Sequence, residues 1–162
     1  VTLEGHTSFV YVAAFNPRGD RVATGSFDKT CKVWNPETGE CFHTLLGHTG
    51  EVACLGFNPQ STHIVTGSMD NTAKLWDAET AKELSTLGHG AEVASVNFNA
   101  TGDTVLTGSF DRTCALWDVR SGNRIHTLQG HSGEVTTTAM NYEGDFCISG
   151  ATDSTCKVWD TK

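Results

Sequence analysis

The sequence predicts an all-β chain of four tandem repeats, each made of short strands joined by tight turns. Gly-His recurs at 5–6, 47–48, 88–89 and 130–131, so successive histidines lie 42, 41 and 42 residues apart. Tryptophan recurs at 34, 76, 117 and 159 with the same three spacings. Runs of five or six β-prone residues alternate with Gly-, Pro-, Asn- and Asp-rich turns every ~10 residues, and no segment sustains a helical period. Self-similarity at a fixed period of this size is the mark of a repeat architecture.

The first repeat shows how each unit reads. Val10–Phe15 is apolar and β-prone, and residues 16–20 (Asn-Pro-Arg-Gly-Asp) form a turn with Pro and Gly where turns favour them. Residues 21–26 make a second strand, 27–29 a tight turn, 30–34 a third strand, 35–39 another turn and Cys41–Leu45 a fourth strand. The single 41-residue step arises where Thr44-Leu45-Leu46-Gly47-His48 becomes Thr86-Leu87-Gly88-His89, one residue shorter. The chain therefore divides into units of about 5–46, 47–87, 88–129 and 130–162, with a strand stub at 1–3, in one domain over 1–162.

Composition removes several function classes. Four Trp, eight Phe and many Val require a packed interior rather than a disordered acidic tail. No apolar run approaches the ~18 residues of a membrane span, and the start at Val1-Thr2-Leu3-Glu4 lacks the basic-then-apolar pattern of a signal peptide. The net charge of −8, from 11 Lys and Arg against 19 Asp and Glu, opposes general nucleic-acid binding and suits a basic protein partner. The six cysteines at 31, 41, 54, 114, 147 and 156 include no C-x-x-C pair, and are expected to be reduced, mostly buried thiols of a cytosolic protein.

Gly-His near the start of each unit and Trp-Asp near its end (Trp-Asn at 34–35) resemble the WD repeats, over essentially the whole chain. The resemblance implies a β-propeller, with each repeat one four-stranded blade. The stretches at 24–34, 57–62 and 66–76 are in addition similar to those of the dynein assembly factors with WD repeats, ciliary and flagellar transport adaptors.

Four residue types recur together: His6, Thr24, Asp28 and Trp34; His48, Thr66, Asp70 and Trp76; His89, Thr107, Asp111 and Trp117; His131, Ser149, Asp153 and Trp159. The resemblance implies a hydrogen-bond relay within each blade, from Asp to imidazole to hydroxyl to indole N–H, which satisfies every member as burial demands. Asp, His and Ser or Thr also spell a hydrolase triad, but such a triad needs an exposed nucleophile and an oxyanion hole. Four equivalent copies, each with a Trp partner, suit structure and not one active site, so no catalytic residue is expected.

His43 and His126 share one position on the fourth strand and read as strand-edge or packed histidines. Cys41-x-His43 is half of a metal site without a second half, so no metal is expected. Neither G-x-x-x-x-G-K-[ST] nor G-x-G-x-x-G occurs, so no nucleotide or other cofactor is expected.

Phe27, Met69 and Phe110 each precede a turn Asp, a position that the resemblance places on the propeller rim, where each either packs over the turn or serves as a partner-binding hot spot. Two further contact positions of the family lie three and five residues after each His. They are Phe9 and Tyr11, Glu51 and Ala53, Glu92 and Ala94, and Glu134 and Thr136. Phe9, Tyr11 and Phe27 are expected to form an aromatic anchor. Met69, Phe110 and the glutamates Glu51, Glu92 and Glu134 would surround it, although the glutamates serve equally as solubilising charges.

These readings converge on a non-enzymatic protein-binding scaffold in the cytoplasm. The dynein-factor resemblance implies an adaptor for axonemal dynein cargo in the cilium or flagellum. The alternative is a self-assembling propeller fragment or an engineered half-propeller with no ligand of its own. A phosphopeptide or degron reader would want clustered Arg on the rim, where only Lys29 and Arg112 follow a turn Asp. The last unit ends after its third strand, and residues 1–3 match the end of a fourth. A homodimer closing an eight-bladed ring is therefore expected.

Overall fold

The computed structural model describes residues 1–162, arranged as fifteen strands in antiparallel sheets. The first sheet holds β1 (Val10–Phe15), β2 (Val22–Ser26), β3 (Cys31–Trp34) and β4 (Cys41–Leu45), side by side in sequence order. The second holds β5 (Val52–Phe57), β6 (His63–Ser68), β7 (Thr72–Asp77) and β8 (Glu83–Gly88). The third holds β9 (Val93–Phe98), β10 (Thr104–Ser109), β11 (Thr113–Asp118) and β12 (Arg124–Gln129). The fourth has only β13 (Val135–Met140), β14 (Phe146–Ala151) and β15 (Cys156–Asp160). No helix is long and apolar enough to cross a membrane.

In the first sheet two strands start one residue later than their sequence pattern suggests, because turn side chains capture the backbone first. The Arg21 N–H donates to Asn16 Oδ1 at 3.0 Å, which leaves β2 to begin at Val22. The Thr30 N–H donates to Asp28 Oδ1 at 3.0 Å, which leaves β3 to begin at Cys31. The second is an Asx turn, and in both a short polar side chain stands in for a ladder bond.

The core lies between the sheets. Ala23, Cys31, Val33 and Leu45 of the first sheet pack on Leu55, Ile64 and Trp76 of the second. Val65, Ala73, Leu75 and Leu87 then pack on Val96, Val105 and Trp117 of the third. Leu106, Cys114 and Leu116 pack on Val135 and Cys147 of the fourth. Each apolar layer is thus one face of a sheet against the opposite face of the next, as stacked sheets require.

A recurrent glycine sets how closely the sheets approach. A Cβ at Gly25, Gly67 or Gly108 would meet a Cγ of Val52, Val93 or Val135 at 2.7, 2.8 and 2.9 Å respectively. Those valines, which open β5, β9 and β13, are wholly buried on the glycine surface. No other residue permits so near an approach of side chain to backbone.

Candidate functional site

The four recurring polar sets are each assembled by one sheet and the loop that enters it. Histidine Nε2 lies 2.7 Å from the hydroxyl of Thr24, Thr66 or Thr107, and 2.8 Å from that of Ser149. The same hydroxyls accept the indole N–H of Trp34, Trp76, Trp117 and Trp159 at 2.7, 2.8, 2.8 and 2.8 Å. Histidine Nδ1 faces a carboxylate oxygen of Asp28, Asp70, Asp111 or Asp153 at 2.7, 2.7, 3.1 and 2.8 Å.

The bonding pattern assigns the protons. An acceptor carboxylate fixes the hydrogen on Nδ1, so a neutral imidazole accepts at Nε2 from the hydroxyl, which in turn accepts from the indole. Burial pushes His48 and His89 below the usual histidine pKa despite the Asp70 and Asp111 carboxylates beside them. Both imidazoles are therefore neutral at pH 7.

The aspartates are held ionised. Burial alone would raise Asp70 and Asp111, but the Thr72 and Thr113 hydroxyls, the histidines and the loop N–H groups of Thr49 and Gly90 outweigh it and lower both. Asp28 falls below the carboxylate range for the same reasons, through Thr30, Thr7 and His6. Asp153 falls chiefly through the Thr155 hydroxyl.

As chemistry, this arrangement is closed. The hydroxyls of Thr66, Thr107 and Ser149 sit on residues no more than 1% exposed, and each already bonds both imidazole and indole. A nucleophile needs access to its substrate, and these have none. The relay ties the loop, the turn and two strands of each sheet together.

The rim positions form a second set, at the end of the sheets that carries the β2–β3, β6–β7 and β10–β11 turns. The Phe27 N–H donates to the Phe9 carbonyl at 2.9 Å, and the same bond, also 2.9 Å, joins Met69 to Glu51, Phe110 to Glu92 and Thr152 to Glu134. Phe9 and Phe27 meet edge to face with ring centres 6.2 Å apart, while Tyr11 stacks on Phe27 at 5.5 Å. Phe9 and Tyr11 nonetheless stay 78% and 65% exposed.

Tyr11 also walls a groove of about 230 Å³ that draws on all four repeats, with Ala53 and Met69, Glu92, Val93, Ala94 and Phe110, and Thr136. Four of the predicted rim residues, Tyr11, Met69, Glu92 and Phe110, thus converge on one space. Phe9 and Phe27 join it through the stacked tyrosine. Glu51 and Glu134 keep equivalent backbone positions but do not line the groove.

Sequence reasoning passed over Val93 and Thr152. Thr152 is the fourth-repeat counterpart of Phe27, Met69 and Phe110, and its hydroxyl accepts the Glu134 N–H at 2.9 Å. Its position before Asp153 was the available signal.

Of the remaining groups, His63 opens β6 and its Nδ1 lies 2.9 Å from the hydroxyl of Thr62, in the turn before that strand. His43 and His126 lie on fourth strands opposite Val33 and Leu116. All six cysteines are free; Cys31, Cys114 and Cys147 are buried, Cys54 is half-buried, and Cys41 and Cys156 are exposed.

Comparison with known proteins places these features in a family. The family model described as the IFT122 first beta-propeller matches residues 1–162. Among individual proteins, the dynein assembly factor with WD repeat domains 1 of Danio rerio is 58% identical over 43 residues, which is 26% of this chain and 10% of that protein. The vegetative incompatibility protein HET-E-1 of Podospora anserina is 55% identical over 38 residues, 24% of this chain and 3% of that protein. A ribosome biogenesis protein BOP1 homolog of Drosophila virilis is 44% identical over 41 residues, 25% of this chain and 5% of that protein. Each such match is about one repeat long, and this chain spans only a small part of those relatives.

Proposed function

The chain belongs to the IFT122 first β-propeller family of WD-repeat propellers, and from that premise we propose that it is a non-enzymatic protein-interaction scaffold of the cytoplasm. The observation that carries the reading is the groove to which all four repeats contribute, with Tyr11, Met69 and Phe110 as apolar walls and Glu92 as its charge. Exposed aromatic side chains on short, rigid turns are the type of residue that anchors a protein partner, with charged residues around them setting orientation. The partner is a basic segment, since the rim offers Glu51, Glu92 and Glu134 and the chain carries a net charge of −8.

A narrower reading is that the cargo or its carrier belongs to axonemal dynein transport in the cilium or flagellum. The identity to the dynein assembly factors of Danio rerio and Xenopus laevis, 58% and 56% over 43 residues, supports it. Both readings are tested by capture from ciliated-cell extract with quantitative mass spectrometry. The wild-type chain should enrich a defined set of proteins that a Phe9→Ala, Tyr11→Ala, Phe27→Ala variant loses and an Arg18→Ala, Arg120→Ala variant on the opposite face retains. Equal capture by all three overturns the rim site. A rim-dependent set without dynein components overturns only the narrower reading.

A further inference from the structure

We propose that the groove between the second and third sheets, at the end opposite the rim, docks an acidic segment of a partner protein. A carboxylate of that segment sits between His63 and Arg120, and an aliphatic side chain next to it lies on Leu84 and Val119. The groove holds about 440 Å³, and Ser85 and Asp103 complete its polar wall. It shares no residue with the rim groove and stands independently of the function assigned to that surface.

The equivalent cleft between the first and second sheets shows which group is missing. Arg21 fills that cleft. Its Nη1 donates to the Ala78 carbonyl at 3.0 Å, its Nη2 pairs with the Glu79 carboxylate at 2.7 Å, and its guanidinium lies 5.6 Å from the centre of the Phe42 ring. The space left beside it is about 190 Å³, less than half the volume of the second groove. One repeat later His63 stands for Arg21, Leu84 for Phe42, Val119 for Ala78 and Arg120 for Glu79. The side chain that bridged the sheets has become shorter, and the carboxylate that received it has become a cation. The second cleft therefore keeps a hydrogen-bond donor on each wall and lacks the acceptor between them.

The proton positions support this. Asn58 Oδ1 accepts the backbone N–H groups of Thr62 and His63 at 2.8 and 2.9 Å, so the other end of its amide is the NH₂ group. That group donates to His63 Nδ1 at 3.2 Å. The ring hydrogen of His63 is thus on Nε2, which bonds no group of the chain. The ion pairs of Lys and Arg in the chain are Arg21 with Glu79, Lys74 with Glu83 and Lys162 with Asp145, so Arg120 has none. Asp103 is the one carboxylate on the wall. Its own turn holds it, with Oδ1 accepting from Asn99 Nδ2 at 2.6 Å and from the Thr104 hydroxyl at 3.1 Å.

A guanidinium with no partner matches a carboxylate in shape as well as charge. Leu84, 43% exposed, and the half-buried Val119 give the same site an apolar floor. A simple inorganic anion would use the donors and leave that floor uncovered. A peptide carboxylate with an aliphatic neighbour uses both, in the combination of apolar contact and a few placed polar groups that binding grooves share.

Amide chemical shifts of the isotope-labelled chain, titrated with acetyl-Leu-Glu-Leu-amide, test the assignment. The shifts should saturate and centre on Ser85, Asp103 and Arg120. Acetyl-Leu-Gln-Leu-amide should bind about tenfold or more weakly, because it keeps the shape and loses the charge. Arg120→Glu, a change at an exposed side chain without partners, should abolish binding in a folded chain, and Arg120→Lys should retain part of it. The Phe9→Ala, Tyr11→Ala, Phe27→Ala variant should bind as the wild type does, which separates this site from the rim. Equal affinity for the two peptides overturns the proposal, as do undiminished binding by Arg120→Glu, shifts confined to the rim, or no saturable shift.

Discussion

The indole N–H of Trp76 donates to Thr66 Oγ1 at 2.8 Å, and the same hydroxyl lies 2.7 Å from His48 Nε2. One buried oxygen thus joins β6, β7 and the loop that enters the second sheet. Replacing Trp76 with Ala removes a wholly buried side chain from the contact with the first sheet. It should cost about 3–5 kcal/mol by cavity formation and loss of its bond. Asp70→Ala should cost less, roughly 1–3 kcal/mol, by leaving the His48 Nδ1–H and the Thr49 N–H without their acceptor. Urea unfolding checks both; wild-type midpoints would show that the relay does not hold the sheet.

Acidification should unfold the chain in two stages. His48 and His89 are depressed by burial from the ordinary 6.5, so the unfolded chain binds their protons first. Their stabilisation is complete above pH 6.5 and is lost as pH falls below it. Asp70 and Asp111, lowered from 3.8, contribute stability present above 3.8 that is lost at lower pH still. Melting temperature measured from pH 8 down should decline below about 6.5 and then steeply in the carboxylate range. A flat profile between pH 7 and 5 would contradict the neutral, buried assignment.

Substitution of the rim should separate binding from folding. Met69→Ala with Phe110→Ala removes two walls of the groove at turn positions, and the melting temperature should change little. Partner affinity should drop about tenfold or more, as for other anchor residues. Glu51→Lys, Glu92→Lys and Glu134→Lys together should slow association with a basic partner and blunt its salt dependence. Unchanged association in both variants would move the contact to the opposite end of the sheets, near Arg18, Pro36 and Arg120.

Thiol reactivity should divide sharply. Burial pushes Cys31 and Cys54 up to about 12, and Cys114 and Cys147 up to about 11, whereas Cys41 is exposed. A maleimide at pH 7 should modify Cys41 within minutes and leave Cys31 and Cys54 untouched until denaturant is added, because the thiolate is the reactive form. Peptide mapping of the labelled chain reads this directly; labelling of Cys31 at the rate of Cys41 would mean that the first two sheets separate in the native state.

The strands were legible because they depend on short-range pattern, and the relay because its residues match the WD-repeat motif, whose histidine reaches its partners from 18 and 22 residues away. Turn residues such as Asn16 and Asp28 lie within five residues of the groups they cap, and the spacing from Thr66 to Trp76 is fixed by one hairpin. The groove was only half legible. Tyr11, Met69 and Phe110 belong to different repeats, and the curvature of the stack, which no local pattern encodes, decides that they meet. Thr152 escaped notice because it is polar where its three counterparts are apolar. Val10 and Val52 hold the same register, yet Val10 is 51% exposed and Val52 wholly buried, a difference set by what packs beside each strand and not by the residue.

A valine seated on a glycine joins every pair of adjacent sheets, and this has an evolutionary consequence. The joint does not depend on which repeat stands on either side, since Gly25 would accept Val93 as readily as Val52. Loss or duplication of a whole unit in the gene therefore changes the number of sheets without requiring a new contact, and only the bend between neighbours has to adjust. Lineages built on this joint can alter the size of the assembly in whole steps while each surviving repeat keeps its sequence.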